Sequence, residues 1–422
     1  MPQPHPRRFT AAAVLALATA AVGTATAPHL WSADANPSPL ATEGTAATCP
    51  TPGRWIDPAS GEPVPVASLI RDIAQRAVVL LGENHANAEH HRWQLHTLAA
   101  LHGHRPGLAV GFEMFPRAKQ PVLDAWAAGE LDETAFLEGV DWRRVWGFDP
   151  VFYLPLFHFV RQQRLPMVAL NVERSLVSQV GREGLDAIPA TALEGVSRPA
   201  PASTAYRREL ALSYGAHGHH GSNPPSATTD PAADPLAALA SDGGFQRFVE
   251  AQLLWDRAMA EALAAARQDG RLAVGIMGAG HVAHGFGVAH QLRDLGVEEV
   301  VTLLPMTSTE ACQYRAGVAD AVFVVPDPSE SPTPPRPLLG VRVDAFDGGV
   351  RVVQVGRDSI AAGAGLRTDD VITRAGGRPL GVPGELIDLI RSTPWGAWLP
   401  LTVTRGEETL ELVAKFPPRA TP

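Results

Sequence analysis

Only two cysteines, Cys49 and Cys312, occur in 422 residues. That excludes zinc and iron–sulfur sites built from sets of thiolates. No HExxH pattern is present, which excludes the helical zinc-protease arrangement of two histidines and a glutamate. Lysine is nearly missing, with Lys119 and Lys415 the only two, and the formal charge is −9. A chain of that balance has no extended basic face, so no nucleic-acid partner is expected. Past the N-terminal region no uncharged apolar run approaches the roughly 20 residues of a membrane-crossing helix, so no transmembrane span is expected. Tyrosine is scarce: Tyr153, Tyr206, Tyr214 and Tyr314 complete the set.

What is present is globular in composition, 45% hydrophobic and 19% charged, and the length predicts two or three domains. Residues 1–27 read as an export signal: Arg7 and Arg8, then an uncharged run from Thr10 to Val22, then small residues Ala25-Thr26-Ala27. Removing both arginines takes the charge from −9 to −11. The expected location is periplasmic or cell-envelope associated. Two cysteines in an exported chain often pair, which predicts a Cys49–Cys312 disulfide; lipidation of Cys49 is the alternative.

Residues 28–53 are Ala/Thr/Pro-rich and read as a flexible segment. From 54 to 325 strand and helix signals alternate. Apolar strands are read at Ala77–Leu81, Leu108–Glu113, Pro166–Leu170, Leu272–Met277 and Glu299–Leu304. Helices are read at Ala88–Leu101, Arg117–Ala127, Arg174–Arg182 and His281–Leu295. This is an α/β class with a mostly parallel sheet and flanking helices. Residues 201–268 read as a helical insertion capping the sheet's ligand edge. Residues 326–337, rich in proline, form a stiff linker. A small β/α domain follows at 338–416.

Two turns carry the chemistry: Gly82-Glu83-Asn84-His85 and Gly278-Ala279-Gly280-His281, each directly after an apolar strand. In an open α/β sheet the carboxyl ends of the strands are where ligands bind. Glu83 and His85 share a side of an extended segment, and Glu113 ends a second strand, read as adjacent. Glu83, His85, Glu113 and His281 in one cleft suit acid–base catalysis, and His85, Glu113 and His281 suit a divalent metal. The bland alternative is that these groups only fix their turns. Gly278-Ala279-Gly280-His281-Val282-Ala283 also has the form of a dinucleotide fingerprint. The next strand opens with Glu298-Glu299 instead of ending in an acid, so that reading is set aside. His284, three residues after His281, is read on the same helix face.

These motifs resemble a known family. Leu80-Leu81-Gly82-Glu83-Asn84-His85, Gly111-Phe112-Glu113-Met114, Trp146-Gly147, Ala251-Gln252, Trp255-Asp256 with Met259-Ala260, and Gly278-Ala279-Gly280-His281 are similar to ChaN proteins of the Tiki and erythromycin-esterase-like superfamily. The resemblance implies an exported haem-binding protein in haem or iron handling. It also implies haem held on a tyrosinate between two subunits of a homodimer. Tyr206, Tyr214 and His217 in the insertion are the candidate haem contacts. It leaves open a metal-dependent hydrolase using Glu83, His85, Glu113 and His281. The C-terminal unit resembles a bacterial-type PDZ domain, with Asp369-Asp370 where Gly-Asp is usual. That implies a groove for a protein's C-terminal peptide formed by Leu339, Gly340, Val341, Leu386 and Ile390, and allows a third reading, an adaptor without catalysis.

Overall fold

A computed structural model describes residues 49–216, 234–313, 317–327 and 338–418. The expected export signal, most of the linker, His217 and Tyr314 lie outside the described residues. Seven strands form the first sheet: β1 Trp55–Ile56, β2 Val78–Glu83, β3 Leu108–Pro116, β4 Met167–Asn171, β5 Leu272–Gly278, β6 Val300–Thr307 and β7 Ala321–Val325. Their order is β1-β7-β6-β2-β5-β3-β4. Every pairing is parallel except β1 with β7. Val78 to Leu81 are all 0% exposed, the unbroken apolar run of a strand covered on both faces. One apolar cluster covers each side of the sheet.

The expected adjacency of the Glu83 and Glu113 strands is corrected here. β5, from the far end of the domain sequence, lies between β2 and β3. Its insertion carries the second Gly-x-x-His turn between the two acid-bearing strands. Glu83 is in register with Gly278.

The expected helix His281–Leu295 is broken. Ala279–Val282 is one turn, Ala283–Gly285 a 3-10 turn, and a new helix runs Val288–Asp294. His284 takes a left-handed φ of 58° and contacts the Gly317 carbonyl at 3.1 Å, so it does not continue the His281 face. A Cβ on Gly287 would lie 2.7 Å from the His281 carbonyl and 2.9 Å from Asp256 Oδ1, so this position requires glycine. The insertion contains helices Thr204–Ala216, Pro235–Ala238 and Gly243–Ala266. Three helices between β3 and β4 were not foreseen: Glu133–Gly139, Trp142–Val145 and Leu154–Gln163. Cys49 and Cys312 are joined as a disulfide, Cα–Cα 5.2 Å, tying the segment before β1 to the helix after β6.

The second sheet has β8 Val341–Phe346, β9 Gly349–Val355, β10 Val371–Ala375, β11 Arg378–Pro379, β12 Trp398–Arg405 and β13 Glu408–Lys415, all antiparallel. Helices Ile360–Ala364 and Pro383–Ser392 accompany it. Asp369 adopts φ 69°, the conformation glycine usually supplies, and Asp370 is buried against Arg405 at 2.7 Å.

Candidate functional site

The carboxyl ends of β2, β3 and β5 bring Glu83, His85, Glu113 and His281 together. All four are buried, at 2%, 4%, 1% and 1% exposure. Glu113 is the centre. Its Oε2 accepts the Gly278 amide at 2.6 Å, and its Oε1 stands 3.6 Å from His281 Nε2. On the other side a Cβ built on Gly278 would lie 3.3 Å from His85 Nε2 and 3.6 Å from Glu113 Oε2. A side chain here would crowd the His85 ring, while the Glu113 carboxylate would stay at ordinary contact distance.

Each imidazole is held from behind in the same manner. His85 Nδ1 pairs with Glu83 Oε1 at 2.8 Å, and the Tyr153 hydroxyl donates to that oxygen at 2.5 Å. His281 Nδ1 pairs with Asp256 Oδ1 at 2.6 Å, and the Tyr206 hydroxyl donates to Asp256 Oδ2 at 2.7 Å. One tyrosine–carboxylate–histidine chain thus reaches Glu113, and the other ends beside Gly278. Each imidazole also packs on an indole: His85 against Trp146 at 4.6 Å, His281 against Trp255 at 5.2 Å. A carboxylate behind an imidazole fixes its tautomer and orientation.

Electrostatics follow this pairing. Burial disfavours the Glu83 carboxylate, but the His91 and His85 imidazoles outweigh it and hold its pKa well below the usual range. Burial also disfavours a charged His91, yet Glu83, 3.3 Å away, raises its pKa. His90 is pushed down to about 3 by burial and then by the His91 charge; its Nδ1 accepts the Asn84 amide at 2.9 Å. For His281, burial is overcome by Glu113 and Asp256, and the value is raised.

The expected divalent metal on His85, Glu113 and His281 finds no support. Among the described residues no group of three or more His, Cys, Asp or Glu side chains is arranged to hold an ion. The Nδ1 atoms already face carboxylates, and one Glu113 oxygen is taken by a backbone amide.

The candidate haem tyrosines sit among the insertion helices. Tyr206 is 2% exposed; burial and then Asp256 hold its hydroxyl pKa well above the ordinary value. Tyr214 is 8% exposed and packs on Phe245 and Phe248; burial and then Asp242 push it up to about 12. Both values favour the neutral phenol.

A cleft opens at this edge, lined among others by Glu113, Arg144, Trp146, Asn171, Arg174 and Trp255. Reasoning from the residues alone missed Tyr153, His91 and Arg174. Asp256, Trp146 and Trp255 appeared there only as parts of a resemblance. A signal for Asp256 existed: an acid inside the apolar helical run Leu253-Leu254-Trp255 must find a buried partner.

At the C-terminal unit, Leu339, Leu386 and Ile390 belong to the core, and Val341 packs half-buried against it. Gly340 takes φ 80°, with Ser359 too close to admit a Cβ. β8 ends the strand order of its sheet.

A family profile described as haem-binding uptake, Tiki superfamily, ChaN matches residues 69–292, more than half of the chain. A PDZ profile matches 337–415. Among solved structures, one described as cofacial haem binding to ChaN of Campylobacter jejuni is 17% identical, covers 64% of this chain and 96% of its own, and has a TM-score of 0.47. The HtrA3 PDZ domain bound to a phage-derived ligand is 25% identical, covering 18% of this chain and 82% of that one, TM-score 0.17. The HtrA-type protease AlgW with a decapeptide is 23% identical, covering 26% and 40%, TM-score 0.20. No curated protein matches.

Proposed function

The chain belongs to the ChaN haem-binding uptake family of the Tiki superfamily and carries a PDZ domain, and we propose from that premise that it is an exported protein that binds haem in iron acquisition and reads a partner's C-terminus. The observation that carries the reading is the family match over 69–292, a span that contains the cleft lining from Glu113 to Trp255 and the buried Glu83, His85 and His281 behind it. The cleft's chemistry fits the ligand. Haem is a flat apolar ring with two carboxylates, and the cleft pairs the indoles of Trp146 and Trp255 with the guanidinium of Arg174.

For the iron, Tyr214 is the preferred residue. Both hydroxyls have an acidic neighbour, Asp256 for Tyr206 and Asp242 for Tyr214, and Tyr214 lies nearer the surface. With a phenol pushed up to about 12, ligation releases a proton, so affinity should rise with pH. Bound haem would supply a ferric porphyrin as cargo. Pairing of two copies is part of the reading.

Haemin titration of the full protein, followed by absorbance, tests it. A saturable band that weakens in Tyr214→Phe is expected, with dimerisation followed by sedimentation of the same sample. A flat titration removes the haem reading. The PDZ part is tested on the full chain with peptides ending in an apolar residue, free or amidated. Preference for the free carboxylate is expected, because such a groove adds the peptide as a strand and caps its end; equal binding contradicts it.

A further inference from the structure

The donors left over in the cleft identify the part of the ligand that enters it. Most of its polar groups are already paired. Glu113 holds the Gly278 amide and faces His281. Asn171 donates to the Glu113 carbonyl and accepts the Val172 amide. Arg144 pairs with Asp141. Two donors remain. Arg174, half-buried at the start of the helix Arg174–Glu183, makes no hydrogen bond or ion pair with another described residue. The Trp255 indole N–H is buried and has no partner among the described residues, although the residue is only 8% exposed. A buried donor without an acceptor is costly unless a ligand supplies one.

We propose that Arg174 and the Trp255 indole N–H form a receptor for one carboxylate of a flat apolar acid lying between Trp146 and Trp255. This rests on the haem reading, for which the carboxylate is a propionate. Arginine is suited to the role because its planar fork meets both oxygens of a carboxylate. Glu173 also lines the cleft and opposes an anion, so discrimination falls to Arg174. Glu113 is near enough to favour the charged Arg174 electrostatically, but no ion pair joins them, and the Glu113 oxygens face Gly278 and His281.

The test compares haemin with haemin dimethyl ester on the full protein, for wild type, Arg174→Gln, Arg174→Lys and Trp255→Phe. Wild type should bind haemin at least tenfold more tightly than the ester. Arg174→Gln should lose most of the preference while keeping the wild-type ester affinity, which also reports an intact fold. Arg174→Lys should recover part of the preference, and Trp255→Phe should lose part of it. Equal wild-type affinities for haemin and ester, or an undiminished preference in Arg174→Gln, overturn the receptor while leaving haem binding standing. A wild type that binds neither removes the haem reading and the receptor with it. If Arg174→Gln loses ester binding too, Trp255→Phe decides: an unchanged preference there overturns the proposal.

Discussion

His281 stands between two carboxylates, its Nδ1 2.6 Å from Asp256 and its Nε2 3.6 Å from Glu113. The His85–Glu83–Tyr153 chain repeats the arrangement from the other side of the cleft. Imidazoles held this way keep a fixed orientation, and at His281 the two carboxylates also raise the proton affinity.

The first expectation concerns Asp256→Asn. In the native protein His281 should titrate above the ordinary value of about 6.5, because Glu113 and Asp256 outweigh its burial. A raised value contributes stability that is complete below about 6.5 and is lost as pH rises through the folded value. Removing the Asp256 charge should lower the His281 midpoint, followed by NMR of the ring protons. An unchanged midpoint would show that Asp256 does not set it.

His90 behaves in the opposite sense. Its folded value is about 3, so its contribution is complete above about 6.5 and is lost progressively as pH falls toward 3. One proton corresponds to about 1.4 kcal/mol per pH unit. His90→Gln should flatten the acid side of the stability curve by up to that slope, measured by denaturant unfolding between neutral and mildly acid pH. The same slope in the variant contradicts the assignment.

Gly278→Ala tests the close approach at the centre. The backbone at Gly278, φ −57° and ψ 141°, admits alanine, so any cost arises from the new methyl against His85 at 3.1 Å. A loss of about 1–3 kcal/mol is expected for such overpacking, together with a shifted His85 resonance. Full stability and an unmoved resonance would mean that the cleft relaxes freely.

The Cys49–Cys312 bridge closes a loop with a sequence separation of 263. In the chain-entropy account such a crosslink contributes roughly 3–5 kcal/mol. The double serine variant should unfold at correspondingly lower denaturant, and denatured unreduced protein should show no titratable thiol.

Much of this architecture was readable in advance because parallel strands buried on both faces are long apolar runs, as at Val78–Leu81 and Leu272–Met277. The Gly-x-x-His turns stood out because histidine after such a run has few structural uses. Strand order was not readable: nothing local to β5 says that it enters between β2 and β3. The break after His281 also escaped, since nothing local marks His284 for its left-handed φ. Tyr153 was invisible for a similar reason, as its partner Glu83 lies on a distant strand. Arg174 reads as an ordinary surface arginine until the cleft around it is known.

The proposed haem site lies at the carboxyl ends of β3 and β4, beside Trp146 and Trp255. Hydrogen–deuterium exchange of the full protein with and without haemin tests that placement most directly. Protection is predicted at 113–116, 144–146, 171–177 and around 255, the segments that line the cleft, and on the Thr204–Ala216 helix that carries Tyr214. Haemin binding that protects other segments and leaves these unchanged would contradict it.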